Sequence, residues 1–339
     1  MSLTSTSEFI KKYWWVPFLF ILVSTLLFLV YLKFTSKQTK NPAPLEHVEV
    51  LDLPINIKTY TQDGFEPPKN IPKTLPVYES STEFGFLDRV DELIKKFNVV
   101  GERQEKNDGY LGKGVFINGE TGQLYIYSDT VTHYPPIISS GQEVGFDKDK
   151  LGQTAIDHLA SYGLVADIPS AYQVSYFHFQ GEESYEDQNP SGASLINFKF
   201  PQKISDYEII TSGKTTTVEF NKRNQITRTK IVAQKKFSPL DKYPVISYQK
   251  ALELLSSGGG FVMSASSEGA DTATSPKHRN LNSANLTSAY LAYYDPPSGK
   301  TLQPVWVFEA SSTVNNLPVI MKIMLPAIPQ SLFTGSTQP

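Results

Sequence analysis

Ser247-Tyr248-Gln249-Lys250-Ala251-Leu252-Glu253-Leu254-Leu255, closed by Gly258-Gly259-Gly260, is the stretch that decides how this chain is read. Ser247 stands where a helix needs a side-chain oxygen for its first unpaired N–H groups. Tyr248, Ala251, Leu252 and Leu255 follow at helical spacing, giving one apolar face. Strands are expected after it at Leu286–Tyr294, Leu302–Glu309 and Pro318–Leu325. A single amphipathic helix followed by a few strands is therefore the unit to look for elsewhere.

It recurs twice upstream. Ser80-Ser81-Thr82-Glu83 reads as a capping box, and Phe86, Val90, Leu93, Ile94 and Phe97 form an apolar stripe behind it. Gly114–Asn118 and Gln123–Tyr127 then flank Gly119-Glu120-Thr121-Gly122 as a hairpin. The next helix starts at Asp147 or Asp149 and carries Leu151, Ala155, Ile156 and Leu159 to Gly163, a C-terminal cap. Strands are expected at Tyr172–Phe179, Ser194–Phe200, Thr215–Phe220 and Ile226–Ala233, the last two joined by Asn221-Lys222-Arg223-Asn224. Val305 and Val307 alternate with Trp306 and Phe308, apolar on both faces, so this strand is covered on both sides or pairs with another chain. The expected fold class is α+β: repeated modules of one helix packed on a small antiparallel sheet, at 76–140, 141–238 and 239–330.

The rest of the chain frames these modules. Between Lys12 and Lys33 lie twenty uncharged residues, thirteen of them Leu, Ile, Val or Phe. Twenty helical residues rise about 30 Å, the thickness of the hydrocarbon layer. Tyr13, Trp14, Trp15 and Tyr31 stand at the ends of the run, where aromatic rings prefer the membrane interface. The expectation is a cytoplasmic tail at 1–12 and a single transmembrane helix at 13–34, a retained anchor in the inner membrane with the C-terminal part extracytoplasmic. Six prolines mark 35–75 as a tether, with a short strand within Val48–Ile57. Ser256–Asn285 reads as a flexible loop, and 331–339 as a disordered tail.

Composition narrows the chemistry. The 339 residues hold 31 Lys and Arg, 34 Asp and Glu, and no cysteine, for a net charge of −3. Without cysteine there are no disulfides, thiolate metal sites or thiol catalysis. A slightly acidic chain lacks the basic face a nucleic-acid binder needs. The five histidines, His47, His133, His158, His178 and His278, show no metal-ligand spacing. The acidic run Glu182, Glu183, Glu186 and Asp187 reads as a solvated loop, and Asp147-Lys148-Asp149 lacks the rest of a calcium loop. Ser-Gly-Lys-Thr at 212–215 and 298–301 lacks the preceding glycine of a phosphate-binding loop. Ser247-Tyr248-Gln249-Lys250, Ser283-Ala284-Asn285 and Lys300-Thr301 mimic the motif order of penicillin-interacting serine enzymes, but Leu302 replaces the final glycine. A serine hydrolase using Ser247 and Lys250 is thus a minor alternative. No catalytic residue, cofactor or metal is assigned.

Tyr243-Pro244-Val245-Ile246-Ser247 with Lys250-Ala251-Leu252-Glu253-Leu254-Leu255 resembles the start of a PepSY-like or YycH/YycI-type module. Ala289-Tyr290-Leu291-Ala292-Tyr293-Tyr294 and Gln303-Pro304-Val305-Trp306-Val307-Phe308 are similar to later strands of that group. The resemblance implies a non-enzymatic extracytoplasmic protein that binds or regulates a protein partner, in some members a sensor kinase of the same membrane. Tyr290, Tyr293, Tyr294 and Trp306 are the expected contact residues. A component of the cell envelope or a surface assembly is the alternative function.

Overall fold

Short apolar-and-polar alternations dominate the chain, and in the computed structural model they form mostly β structure. The structure describes residues 23–26, 42–46, 55–82, 85–108, 112–138, 140, 142–165, 171–180, 183–187, 189–211, 214–267, 279–296, 300–314 and 317–334. In chain order the elements are β1 (Ile55–Ile57), β2 (Tyr60–Thr61), β3 (Thr74–Thr82), α1 (Val90–Phe97), β4 (Glu102–Asp108), β5 (Gly112–Gly119), β6 (Gly122–Tyr127) and β7 (Thr130–Tyr134). They continue as α2 (Lys148–Tyr162), β8 (Gln173–Gln180), β9 (Glu183–Asp187), β10 (Leu195–Phe200), β11 (Lys203–Ile204), β12 (Tyr207–Thr211), β13 (Thr216–Asn221) and β14 (Ile226–Val232). The last are β15 (Lys235–Pro244), α3 (Tyr248–Ser256), β16 (Phe261–Ser267), β17 (Arg279–Leu281), β18 (Ala284–Asp295), β19 (Thr301–Val314) and β20 (Leu317–Pro326).

The expected modules on small sheets are corrected by the strand pairing. The first two share one nine-stranded sheet in the order β4-β5-β6-β7-β14-β13-β10-β8-β9. The joint is β7 against β14, with His133 opposite Thr229 and Val131 opposite Ile231. Every neighbouring pair in it is antiparallel. Helices α1 and α2 pack on the same face. Leu93 and Phe97 of α1 and Leu151, Ala155 and Leu159 of α2 join Ile117, Leu124, Ile196, Phe198, Val218 and Phe220 in one core. Gly152 lets α2 come close, because a Cβ there would stand 2.2 Å from the Tyr172 hydroxyl. Gly163 ends the helix at φ +58°, in the left-handed region. Ser80–Thr82 belong to β3, so the first helix is not opened by a capping box; it follows a 3-10 turn at Phe86–Arg89.

The second sheet runs β11-β12-β18-β19-β20-β16, with β2 on β18, β3 on β19 and β15 on β3. Here α3 supplies Tyr248, Ala251 and Leu255 to a core with Leu286, Trp306, Phe308, Met321 and Ile323. Val305 and Val307 are buried on the other face, so both faces of β19 are covered within this chain. The span read as a tether holds β1 and β2, and Asn285 ties down that segment by accepting from Thr61 and from the Asp63 N–H. Within the expected loop 256–285, β16 pairs with β20 and β17 with β1; 268–278 lie outside the described residues. In the expected tail, Leu332 accepts from the Leu45 N–H at 2.8 Å.

Among the described residues no helix is long and apolar enough to cross a membrane. The expected single-pass anchor at 13–34 is corrected on that finding, while nothing among the described residues bears on the bilayer as a partner or on the side of a membrane the C-terminal part would occupy. Of the span, only Val23–Leu26 is described, as helix; Tyr13, Trp14, Trp15 and Tyr31 lie outside the described residues.

Ser247 does cap α3: its Oγ accepts from the Lys250 N–H at 3.2 Å. Ser247→Ala is expected to cost about 1 kcal/mol of stability, read from the urea midpoint. A cost near zero would mean that the cap bond contributes nothing.

Candidate functional site

Alternation along a strand sends every second side chain to the face opposite α1 and α2. On that face, which carries neither α1 nor α2, Ser175, Asn197, Glu219 and Arg228 stand side by side across β8, β10, β13 and β14. Glu219 is fixed by two neighbours. Thr227 donates to Glu219 Oε1 at 2.8 Å, and Arg228 Nη2 lies 3.2 Å from Glu219 Oε2. The row continues across β7, β6 and β5 as Tyr134, Gln123 and Asn118, each opposite the next. The sequence hid this row because its members are single polar residues in separate strands. Within one strand the only sign is a polar residue between apolar ones, as at Asn197 and Glu219.

Four side-chain atoms of this face are buried without a partner: Ser175 Oγ, Asn197 Oδ1, Thr217 Oγ1 and Arg228 Nε. Ser175 and Asn197 are each 2% exposed and Thr217 7%. An unsatisfied buried donor or acceptor costs about 1–3 kcal/mol, so four on one face are a concentrated deficit. In the neighbouring row Phe116 and Tyr125 stack with ring centres 4.5 Å apart, and Tyr134 meets Tyr125 edge-on at 5.8 Å.

Beyond Tyr134 the chain turns toward α2 through Pro135, Pro136, Ile137 and Ile138. Ile137 is 59% exposed, Ile138 62% and Val144 65%. Of the ten exposed large hydrophobic residues among those described, four, counting Tyr134, lie between 134 and 144. Two hydrogen bonds pin this segment to the β13–β14 turn. Gln225 Nε2 donates to the Ile138 carbonyl at 3.1 Å, and the Val144 N–H donates to the Lys222 carbonyl at 3.0 Å. The sequence signal was present: an apolar group after two prolines, outside any helical or strand period.

The residues singled out from sequence sit elsewhere. Trp306, Tyr293 and Tyr294 are fully buried, and Tyr290 is half-buried, so the expectation of four exposed aromatics on the late strands is corrected. Trp306 Nε1 donates to the Ile246 carbonyl at 3.1 Å, and Tyr293 Oη donates to the Pro76 carbonyl at 2.9 Å. Their apolar bodies fill the second core while their polar tips find backbone oxygens. The Lys250 ammonium reaches Glu253 at 3.1 Å rather than Ser247, whose hydroxyl is engaged as the cap. Lys214, of the first Ser-Gly-Lys-Thr, pairs with Asp129.

Three histidines are described, all with structural surroundings. His178 Nε2 donates to the Asn189 carbonyl at 2.9 Å. His158 shares a 2.9 Å hydrogen bond with the Thr229 hydroxyl beneath α2, and burial lowers its pKa. His133 stands next to them against the Phe97 ring, with both ring nitrogens buried and unpartnered. Burial, helped by His158, holds its pKa down to about 4. His47 and His278 lie outside the described residues, as do the side chains of Glu182, Glu183, Glu186 and Asp187. Among the described residues no three His, Asp or Glu side chains are grouped to hold a metal ion.

No protein-family model matches the chain, and no curated protein matches it.

Proposed function

We propose that the chain is a non-enzymatic binding or regulatory protein that docks a protein partner on the segment between β7 and α2. The carrying observation is the exposed group Tyr134, Ile137, Ile138 and Val144 on a pinned backbone. Apolar side chains gathered at one place on a surface mark interaction sites, whereas scattered ones need no explanation. A backbone already held by hydrogen bonds has less conformational freedom to lose on binding. This keeps the partner-binding function implied by the resemblance but moves the contact from the late strands to the rim of the long sheet.

The test is a photo-crosslinker placed at Ile138 in cells, with the same probe at Leu240, exposed on β15, as comparison. One reproducible protein adduct is expected from position 138 and none from 240. Ile138→Asp is expected to reduce binding of that partner at least about tenfold while changing stability by less than about 0.5 kcal/mol. The same adducts from both positions, or none from 138, would sink this reading.

A further inference from the structure

We propose that the free edge of β4 pairs antiparallel with β4 of a second copy of this chain, giving a two-fold symmetric dimer in which the two long sheets join. This does not rest on the partner-docking segment, which follows β7, three strands away.

The edge is open. β4 is the first strand of the nine-stranded order, and among the described residues β5 alone pairs with it. All seven of its residues are exposed. A strand with no neighbour on one side presents a row of backbone donors and acceptors that another strand can meet. Charge is the usual guard against such pairing, and five of the seven residues of β4 are charged.

The order of those charges selects the partner. In a symmetric antiparallel pair the two-fold axis passes between one residue and its own copy. A residue two places before the axis then meets the residue two places after it. With the axis at Gln104, Glu102 meets Lys106 and Arg103 meets Glu105, each twice by symmetry. All four charged contacts join opposite signs. The residue on the axis is a neutral amide, which can both donate to and accept from its copy. Moving the axis to residue 103 sets Arg103 against itself. Moving it to residue 105 sets Glu105 against itself and Glu102 against Asp108. Opposite charges directly across two strands stabilise the pair, and like charges destabilise it. Glu-Arg-Gln-Glu-Lys therefore discourages unrelated strands and fits its own copy in one register. The other end of the sheet differs: the charges of β9, on Glu183, Glu186 and Asp187, are all acidic, so no register brings opposite signs together.

The pleat keeps this match, because residues directly opposite share a face of the sheet. Arg103 and Glu105 stand beside Ile117 and Val115 of β5, on the face that α1 and α2 cover. Glu102, Gln104 and Lys106 stand beside Asn118, Phe116 and Gly114, on the other face. The Arg–Glu contacts thus fall on one face and the Glu–Lys contacts on the other. Little holds these side chains elsewhere. Arg103 Nη1 lies 3.5 Å from Asp91 Oδ1, whose side chain is 86% exposed, so the pair is weak. The Lys106 ammonium lies 4.0 Å from the Phe116 ring centre, on the face where Glu102 of the second copy arrives.

The chain has no cysteine, so a single introduced one reports proximity. In the proposed register the two Gln104 Cα atoms lie about 4.5–5.5 Å apart, within reach of a disulfide. The two Lys106 Cα atoms are about 14 Å apart, beyond that reach. Under mild oxidation Gln104→Cys is expected to give a covalent dimer, and Lys106→Cys is not. Sedimentation of the full chain over a concentration series is expected to show a monomer–dimer equilibrium. Arg103→Glu is expected to weaken it at least about tenfold, because symmetry turns two attractive contacts repulsive. Adding Glu105→Arg to Arg103→Glu is expected to restore it, and Ile138→Asp to leave it unchanged. The proposal is overturned if the parent stays monomeric up to millimolar concentration, or if Lys106→Cys crosslinks as readily as Gln104→Cys. It is equally overturned if Arg103→Glu dimerises like the parent, or if the double variant associates no better than Arg103→Glu. A Gln104→Cys chain that crosslinks only to a different protein would give the edge to another strand and overturn the second copy as its occupant.

Discussion

Trp306→Ala is expected to remove about 4 kcal/mol from the stability of the second sheet. Trp306 is fully buried, with ring centres 6.0 Å from Tyr248 of α3 and 6.2 Å from Phe308 of its own strand. Truncating a buried Trp or Phe to Ala costs about 3–5 kcal/mol, through lost transfer energy and the cavity left behind. Two features place this site toward the upper part of that range. The hole would open between α3 and β19, elements fixed by Ser247 at one end and by pairing to β18 and β20 at the other. The Ile246 carbonyl would also lose its donor, the indole N–H at 3.1 Å. Trp306→Phe separates the two effects: most of the volume stays, and a cost of about 1–3 kcal/mol reports the orphaned carbonyl. Amide exchange of β18–β20 is the measurement, because it reads this sheet apart from the other. A cost below about 1 kcal/mol for Trp306→Ala would contradict the burial described.

Acidification is expected to destabilise the first sheet by about 3 kcal/mol between pH 6.5 and pH 4 through His133. The folded protein takes up a proton on this ring only near pH 4, while the unfolded chain takes one up near pH 6.5. Between these values the unfolded state binds more protons, so the folded state loses ground as pH falls. His158, lowered by the same burial, adds in the same direction. The cause is local: the buried His133 ring lies against Phe97 and beside Gly122 at the start of β6, and neither ring nitrogen has a hydrogen-bond partner to welcome the added proton. His133→Leu should flatten the stability profile in this window, measured as urea midpoint against pH. A profile as steep as that of the parent would remove His133 as its source.

Much of the local structure was legible. Phe86, Val90, Leu93 and Phe97 are all buried, as their helical spacing implied, and Asp147, Gly163 and Ser247 stand at helix ends as their chemistry required. What stayed hidden is long-range. Nothing near His133 announces that it will pair with Thr229, and that pairing turns two expected modules into one sheet. Glu102–Asp108 carries no apolar residue, so it shows no alternation; it is an edge strand whose charges guard its unpaired side. Adjacent Tyr293 and Tyr294 point to opposite faces of β18, and their aromatic character suggested contact with a partner. Both faces turned out to be covered by the chain's own β12, β3 and β19 side chains, a fact of packing that a strand pattern does not carry. The row opposite α1 and α2 was hidden for the same reason, since it exists only once seven strands are in register.

One pairing sets a timetable for synthesis. Thr82 lies opposite Lys235, so the long sheet is looped out between two adjacent strands of the other. Residues 86–233 supply all of its strands and both of its helices, and they can close as soon as they leave the ribosome. The segment made before them cannot. Leu45 finds its backbone partner in Leu332 and Thr334, up to 289 positions later, and β3 must wait for β15 and β19. A segment made early is therefore among the last to be buried, and it depends on whatever shelters it until residues 332–334 emerge.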